Sequence, residues 1–456
     1  MLRETVSTIL FLLIAILTVA TSLLSLSWLG AIAAGLVVLF LLLEFSRIPG
    51  LQRGVGTALL CGGIGAAALT PDPIATLRLG LEKTLPFLLL FASVAWLQVP
   101  SGQSPSLLAV RETVLRQPPG RRFAWVAAVG HFLGVAFNLA GLSLLTPMVE
   151  SGKEERLQKR LGRAMIQGFG AGTCWSPLYV GTAVIIASVP GVSWVDVGPI
   201  GFLIALLLLA WSWSFDRLFA RRATPSVANP PGGAGQKVTG MPAVVWGRLF
   251  LILCSLFGCI IGFVEGLGWS IPVALAVTAP VYALIWSQQI HRAGAGPGPS
   301  AVVRRVVSGL PGLRGEALLF TGANVLGVGV AALIPDADAA GTTLPIAPTM
   351  MLVMIMIGYA VLSAAGLHPV VTVVLVTSIL TPDVIGVSPA ILALALMVMW
   401  GQGTNVSPFS ATVLYMARVT GRSGWTVAWR WNGPFGITAT ALLAVIIAGL
   451  NLYGFG

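Results

Sequence analysis

The sequence predicts an all-α polytopic membrane protein of about eleven transmembrane helices and two re-entrant hairpins, arranged as an inverted-topology repeat. Three observations predict it. The chain of 456 residues is 56% hydrophobic and only 9% charged, whereas a soluble domain carries roughly a quarter of its residues as charges. Apolar runs long enough to cross a bilayer recur along its length. The octapeptide GAGTCWSP at 170–177 returns as GQGTNVSP at 401–408, with Gly170/Gly401, Gly172/Gly403, Thr173/Thr404, Ser176/Ser407 and Pro177/Pro408 identical.

The first run, 6–25, follows Arg3 and leads directly into a second at 28–46, with no small-residue cleavage site before a polar segment. It reads as a retained leading helix (1–27) rather than a signal peptide. Spans at 54–70 and 84–99 follow. Residues 123–149, FAWVAAVGHFLGVAFNLAGLSLLTPMV, are long enough for one crossing, yet Arg111, Arg116, Arg121 and Arg122 precede them and KEERLQKRLGR (153–163) follows. Both basic groups lie on the cytoplasmic side only if the segment enters and returns. It reads as a hairpin with its tip near 137–141, where Asn138 and Gly141 permit a turn. An interrupted helix over 158–190 and a span at 195–215 complete the first repeat, 28–215.

Residues 216–242 read as a cytoplasmic linker rich in Pro and Gly. The second repeat, 243–453, begins with spans at 243–264, 268–288 and 316–335. Residues 345–382 are too long for one helix and bend at AAGLHP (364–369). Their flanks, DADAAGTTLP and DVIG, contain no Lys or Arg, so this hairpin opens outward. An interrupted helix at 388–417 and a span at 433–453 finish the chain. Asn138 precedes Thr173 by nearly the interval that separates His368 from Thr404, and Thr146-Pro147 and Thr381-Pro382 close the two hairpins alike.

The net charge of +11 does not indicate nucleic acid. With a cytoplasmic amino terminus, Arg78 and Lys83 are the basic residues that fall outside, while PDAD (335–338) and Asp383 lie in outer loops. The basic balance is therefore topology: a multi-pass protein of the cell inner membrane with a periplasmic carboxyl terminus. No nucleotide-binding loop, metal-ligand cluster or nucleophile with its base is recognisable, so neither an enzyme nor a cofactor is expected beyond a coupling ion. Cys61, Cys174, Cys254 and Cys259 all lie in apolar segments and read as packing residues.

The repeated octapeptides supply the candidate site. Gly and Pro interrupt the helical hydrogen-bond ladder and leave carbonyls at one half-helix end and N–H groups at the other. Carbonyl and hydroxyl oxygens suit a hard cation such as Na⁺; helix N-termini attract anions. The candidates are Asn138 at the first tip, Gly172, Thr173, Cys174, Ser176 and Pro177 in the first break, Gly366 and His368 at the second tip, and Gly403, Thr404, Asn405, Ser407 and Pro408 in the second break. Asn138, Thr173, Thr404 and Asn405 are the Na⁺ candidates. Trp175 packs against the substrate or against a neighbouring helix. No acidic or basic residue falls within the expected core of a spanning helix, Glu44 and Glu316 lying near helix ends. This favours coupling through neutral oxygens over a carboxylate relay; proton coupling through His131 or His368 is the alternative.

On these residues the sequence resembles the ion transporter superfamily, most closely the divalent anion:sodium symporters. FNLAGLSLLTP (137–147) resembles the arm of their first hairpin, and the two octapeptides resemble their unwound loops. The resemblance implies a homodimer working by an elevator movement, with Na⁺ at each hairpin and unwound loop and a small organic anion between the tips. Phe137 and Leu139 stand where the family has serine and threonine, and the second tip reads Gly366-Leu367-His368-Pro369. Those departures argue against a dicarboxylate. The alternatives are an H⁺-coupled anion transporter or exporter, or the large membrane subunit of a tripartite ATP-independent periplasmic (TRAP) transporter, which requires partner proteins.

Overall fold

Inside a bilayer no water satisfies backbone groups, so apolar segments fold as helices. Every regular element in the computed structural model, which describes residues 2–150, 154–220, 243–296, 298–333 and 346–455, is helical. The first half contains α1 (Leu2–Leu24), α2 (Ser27–Glu44), α3 (Gly50–Ala68), α4 (Pro73–Glu82), α5 (Leu85–Ser101), α6 (Pro105–Leu115), α7 (Pro119–Phe137), α8 (Leu139–Ser143), α9 (Glu155–Ala171), α10 (Val180–Ser188) and α11 (Trp194–Phe215). The second contains α12 (Ala243–Leu267), α13 (Ile271–Arg292), α14 (Pro299–Gly309), α15 (Arg314–Ala331), α16 (Pro348–Ala364), α17 (Pro369–Ile379), α18 (Pro382–Ile385), α19 (Pro389–Val406), α20 (Ala411–Thr420) and α21 (Gly433–Leu452). Most of the expected linker (221–242), Lys153 and the acidic PDAD segment lie outside the described residues.

Among the described residues, 8 helices are long and apolar enough to cross a membrane. The chain is a multi-pass membrane protein. The other expected crossings, 54–70, 158–190 and 316–335, are α3, the pair α9–α10 and α15, whose glycines, charged first turns or chain break lower their apolar character. Proline opens many of these helices at a position whose N–H needs no partner, as at Pro73, Pro348, Pro369 and Pro389.

The packing is reciprocal between the halves. In the expected repeats α3 corresponds by order to α13 and α5 to α15. In the structure α3 packs against α15, and α5 packs against α13. Each half thus contributes one helix to each of the two contacts. The α3–α15 seam is built on glycine: a β-carbon on Gly63 would stand 2.5 Å from the Leu326 amide nitrogen, and one on Gly322 2.7 Å from the Gly56 carbonyl oxygen. Small residues let membrane helices approach closely enough for dispersion to hold them.

Around that seam sits a buried carboxylate. Glu44 is fully buried, accepts from the Ser7 hydroxyl at 2.7 Å and pairs with Arg314 at 3.1 Å. Arg47 and Arg3 approach it at 3.8 and 3.9 Å, and Arg3 also donates to the Leu43 carbonyl. This cluster fastens the leading helix and α2 to the start of α15.

The core centres on α19. Its residues Ile391 to Met399 are all 1% exposed or less, the burial expected of a helix that is apolar all round. At both expected hairpins the chain reverses. α7 ends at Phe137, and Gly141 comes back so close to Leu133 that a β-carbon there would strike the Leu133 carbonyl. The returning stretch is short, α8 of 5 residues and a 3-10 turn over Thr146–Met148. α16 and α17, of 17 and 11 residues, reverse through Gly366 at φ +105°. These helices are shorter than the roughly 20 residues a crossing needs.

Arg160 and Arg163 of the basic cluster lie on α9, as the interrupted helix expected from 158 implies, and are drawn into protein. Arg160 grips the buried Asp216 carboxylate through Nη2 at 2.8 Å and Nε at 3.0 Å. Arg163 is 4% exposed, with its guanidinium 5.2 Å from the centre of the Phe215 ring. Positive charge marks a membrane face, but a neighbouring helix end carrying an acid can recruit it into the packing.

Candidate functional site: a cavity between two helix breaks

The two octapeptides break their helices in parallel fashion. α9 ends at Ala171, tightens into a 3-10 turn over Gly172–Cys174, and the chain becomes helical again at Val180. α19 ends at Val406, and α20 starts at Ala411. Thr173 donates its hydroxyl to the Gly170 carbonyl at 2.7 Å, and Thr404 donates to the Gly401 carbonyl at 2.8 Å. The same bond is made twice.

A hydroxyl from beyond each break accounts for the threonine's own carbonyl. Thr182 donates to the Thr173 carbonyl at 2.7 Å, and Ser410 to the Thr404 carbonyl at 2.7 Å. With their protons committed, the two threonine oxygens present lone pairs to any further partner, which suits a hard cation.

A cavity of about 700 Å³ lies over both breaks. Asn138 and Leu139 reach it from the first turn, His368 and Pro369 from the second, and Thr173 and Thr404 from the breaks. Three helices begin on its wall: α10 with Val180 and Gly181, α17 with Pro369, and α20 with Ala411 and Thr412. Each start contributes roughly half a positive charge, although His368 caps the Val370 amide of α17 and Ser410 the Val413 amide of α20.

The turn residues are held in place by their own caps. Asn138 adopts φ 54° and ψ −137°, a conformation that favours glycine, and its Oδ1 accepts from the Leu139 amide at 2.9 Å. His368 Nδ1 accepts from the Val370 amide at 3.3 Å. Gly366 packs against Phe409, where a β-carbon would stand 2.7 Å from the ring. This contact ties the second turn to the second break.

Several candidates lie behind the cavity wall. Cys174, Ser176, Asn405 and Ser407 are buried and do not line the cavity. Gly172 faces the Tyr179 ring and Gly403 faces Ser363, each too close for a side chain. Pro177 and Pro408 belong to the breaks and likewise do not face it. Asn405 is the unusual one. It is 1% exposed, its amide oxygen and nitrogen have no hydrogen-bond partner, and it lies against Gly170 of the other break.

His131 has both ring nitrogens occupied. Nδ1 meets the Gly168 carbonyl at 3.2 Å, and Nε2 accepts from the Trp175 indole at 3.2 Å. Trp175 in turn accepts at its carbonyl from the Trp194 indole at 2.6 Å. These residues fasten α7 to the first break and lie outside the cavity.

Sequence reasoning missed Tyr179, Trp400 and the two charged residues on the wall, Arg305 and Glu316. Glu316 had a visible signal, an acidic residue at the mouth of an apolar run. The aromatics had none, because apolar segments of this chain contain aromatics throughout.

No protein-family model and no curated protein matches the chain. Among solved structures it is similar to the YdaH transporter of Alcanivorax borkumensis, with a TM-score of 0.53 and 16% sequence identity over 81% of this chain and 86% of that one. The likeness is one of fold: this chain has the polytopic helical fold of a membrane transporter.

Proposed function

We propose that this protein is a secondary active transporter of a small organic anion of carboxylate type, coupled to Na⁺. The observation that carries the reading is the cavity wall, on which three helix starts and the paired hydroxyls of Thr173 and Thr404 converge. Helix starts supply the field an anion needs without side-chain charge. The threonine oxygens are neutral ligands for the coupling ion, and the unpartnered Asn405 amide stands next to them at the crossing of the two breaks.

The duplicated turns and breaks support alternating access by an elevator movement, because the cavity-bearing elements form one packed unit around α19. α3 with α15, and α5 with α13, supply a surface for it to slide on. The octapeptides' resemblance to the unwound loops of the divalent anion:sodium symporters supports the same reading, which includes a homodimer in the cell inner membrane with a cytoplasmic amino terminus.

The test is uptake by the purified chain in proteoliposomes, with carboxylates supplied under an inward Na⁺ gradient and under choline. Na⁺-dependent accumulation by the chain alone is expected. Flux that appears only with added partner proteins would transfer the reading to a TRAP membrane subunit. Absence of any gradient-dependent flux would overturn it.

A further inference from the structure

The cavity wall carries two charges of opposite sign, each outside any salt bridge among the described residues. Arg305 stands on α14, and Glu316 lies in the first turn of α15, partly buried. Among the described residues neither is in an ion pair. Arg314, two residues before Glu316, makes its salt bridge with Glu44 at 3.1 Å and acts on Glu316 only at longer range. Residues two apart on a helix point to different faces, so this division follows from helix geometry. All other cavity side chains are neutral or, in His368, occupied as a cap.

Arg305 is exposed and Glu316 half-buried on the cavity wall, so each is open to a charged ligand held in the cavity. A carboxylate on the wall also opposes the accumulation of negative charge that the helix starts favour. A dianion would meet Glu316 as a like charge, whereas a ligand bearing a cationic nitrogen would satisfy it. Arg305 offers a carboxylate the planar, charge-assisted donors that suit it.

We propose that the substrate is zwitterionic, of the amino-acid class, with its carboxylate toward Arg305 and the helix starts and its ammonium group toward Glu316. This rests on the carboxylate-transporter reading and narrows it. Glu316 then acts as a specificity element: it rewards the amine and repels the acid that lacks it.

The experiment uses the purified full-length protein and matched pairs of ligands, glutamate with glutarate and leucine with isocaproate. Binding is followed by thermal shift and by the change in tryptophan fluorescence that is lost in Trp400→Phe, Trp400 being the one of the 14 tryptophans that, among the described residues, lines the cavity. The amino-bearing member of at least one pair is expected to bind about tenfold or more tighter, the scale of one hydrogen bond to a charged group. Glu316→Gln is expected to abolish that preference and tighten binding of the deaminated acid; Arg305→Gln weakens both members.

Equal or tighter binding of the deaminated acid by the unaltered protein would overturn the inference while leaving the carboxylate reading standing. So would a preference that survives Glu316→Gln. Binding of neither member in any pair would overturn the carboxylate reading, and this inference with it.

Discussion

Gly170 and Gly401, the first residues of the two octapeptides, lie against one another where α9 and α19 cross. A β-carbon on Gly170 would stand 2.9 Å from the Gly401 carbonyl oxygen, and one on Gly401 2.4 Å from the Gly170 carbonyl oxygen. The contact joins the same position of both octapeptides, so the two sequence motifs meet at this crossing. The carbonyls that meet there are also those to which Thr173 and Thr404 donate.

Gly401→Ala should force that crossing apart, because its β-carbon would also stand 2.5 Å from the Thr173 hydroxyl. Overpacking of this kind costs about 1–3 kcal/mol, read as a lowered thermal midpoint in detergent. Gly358→Ala serves as the control. Its β-carbon meets nothing within 4 Å, and alanine is the better helix former. Equal midpoints for the two variants would refute the crossing.

Asn405→Leu separates a binding role from a packing role. A buried amide without partners costs about 1–3 kcal/mol, so leucine should stabilise the protein in choline buffer. The stabilisation that Na⁺ confers should disappear at the same time. A Na⁺-dependent shift equal to that of the unaltered protein would remove Asn405 from the ion site.

Thr404→Val and Thr173→Val delete equivalent hydroxyls while keeping side-chain shape. Each should weaken the apparent Na⁺ affinity by about tenfold, the worth of one good ligand interaction, without dissociating the protein. Titrating Na⁺ against thermal midpoint gives the comparison. If only one of the two variants responds, the two breaks are not functionally equivalent.

Asn138→Gly should fold normally, since glycine accepts φ 54° freely and the amide it loses caps only the short α8. Asn138→Val should be destabilised by about 1–2 kcal/mol through left-handed strain. Transport lost in the glycine variant at an unchanged midpoint would show that the amide itself meets substrate or ion.

Glu44→Ala should lower stability by about 1–3 kcal/mol, because it removes the charged hydrogen bond to Arg314 and leaves the Ser7 hydroxyl without its acceptor. Arg47→Ala should cost about 0–1 kcal/mol, since that guanidinium is 36% exposed and 3.8 Å away. Chemical or thermal unfolding distinguishes them, and similar losses would show that the cluster is not centred on Glu44.

Much was legible in the chain itself. Apolar length gave the helices, the distribution of Lys and Arg required a reversal at 123–149, segment length with Gly366 and Pro369 placed the bend at 364–369, and the repeated GxGTxxSP pattern located both breaks. These are local signals: a glycine, a proline or a charge acts within a few residues of itself, and the bilayer allows few ways to satisfy a backbone. The sequence also supplied Asn138, Thr173, His368 and Thr404, because each stands where the chain must turn or break.

Which of these face one cavity was decided by tertiary structure alone. Whether a side chain on a broken helix looks into a cavity or into α19 depends on a rotation of a few tens of degrees, set by glycine contacts such as Gly170 with Gly401. Asn405, one residue after Thr404, is therefore sealed behind the wall. Glu316 and Arg305 reach the cavity from a helix pair whose position is fixed by the close packing of α15 on α3. No local pattern encodes that distance, because it is the sum of many contacts between residues far apart in the chain.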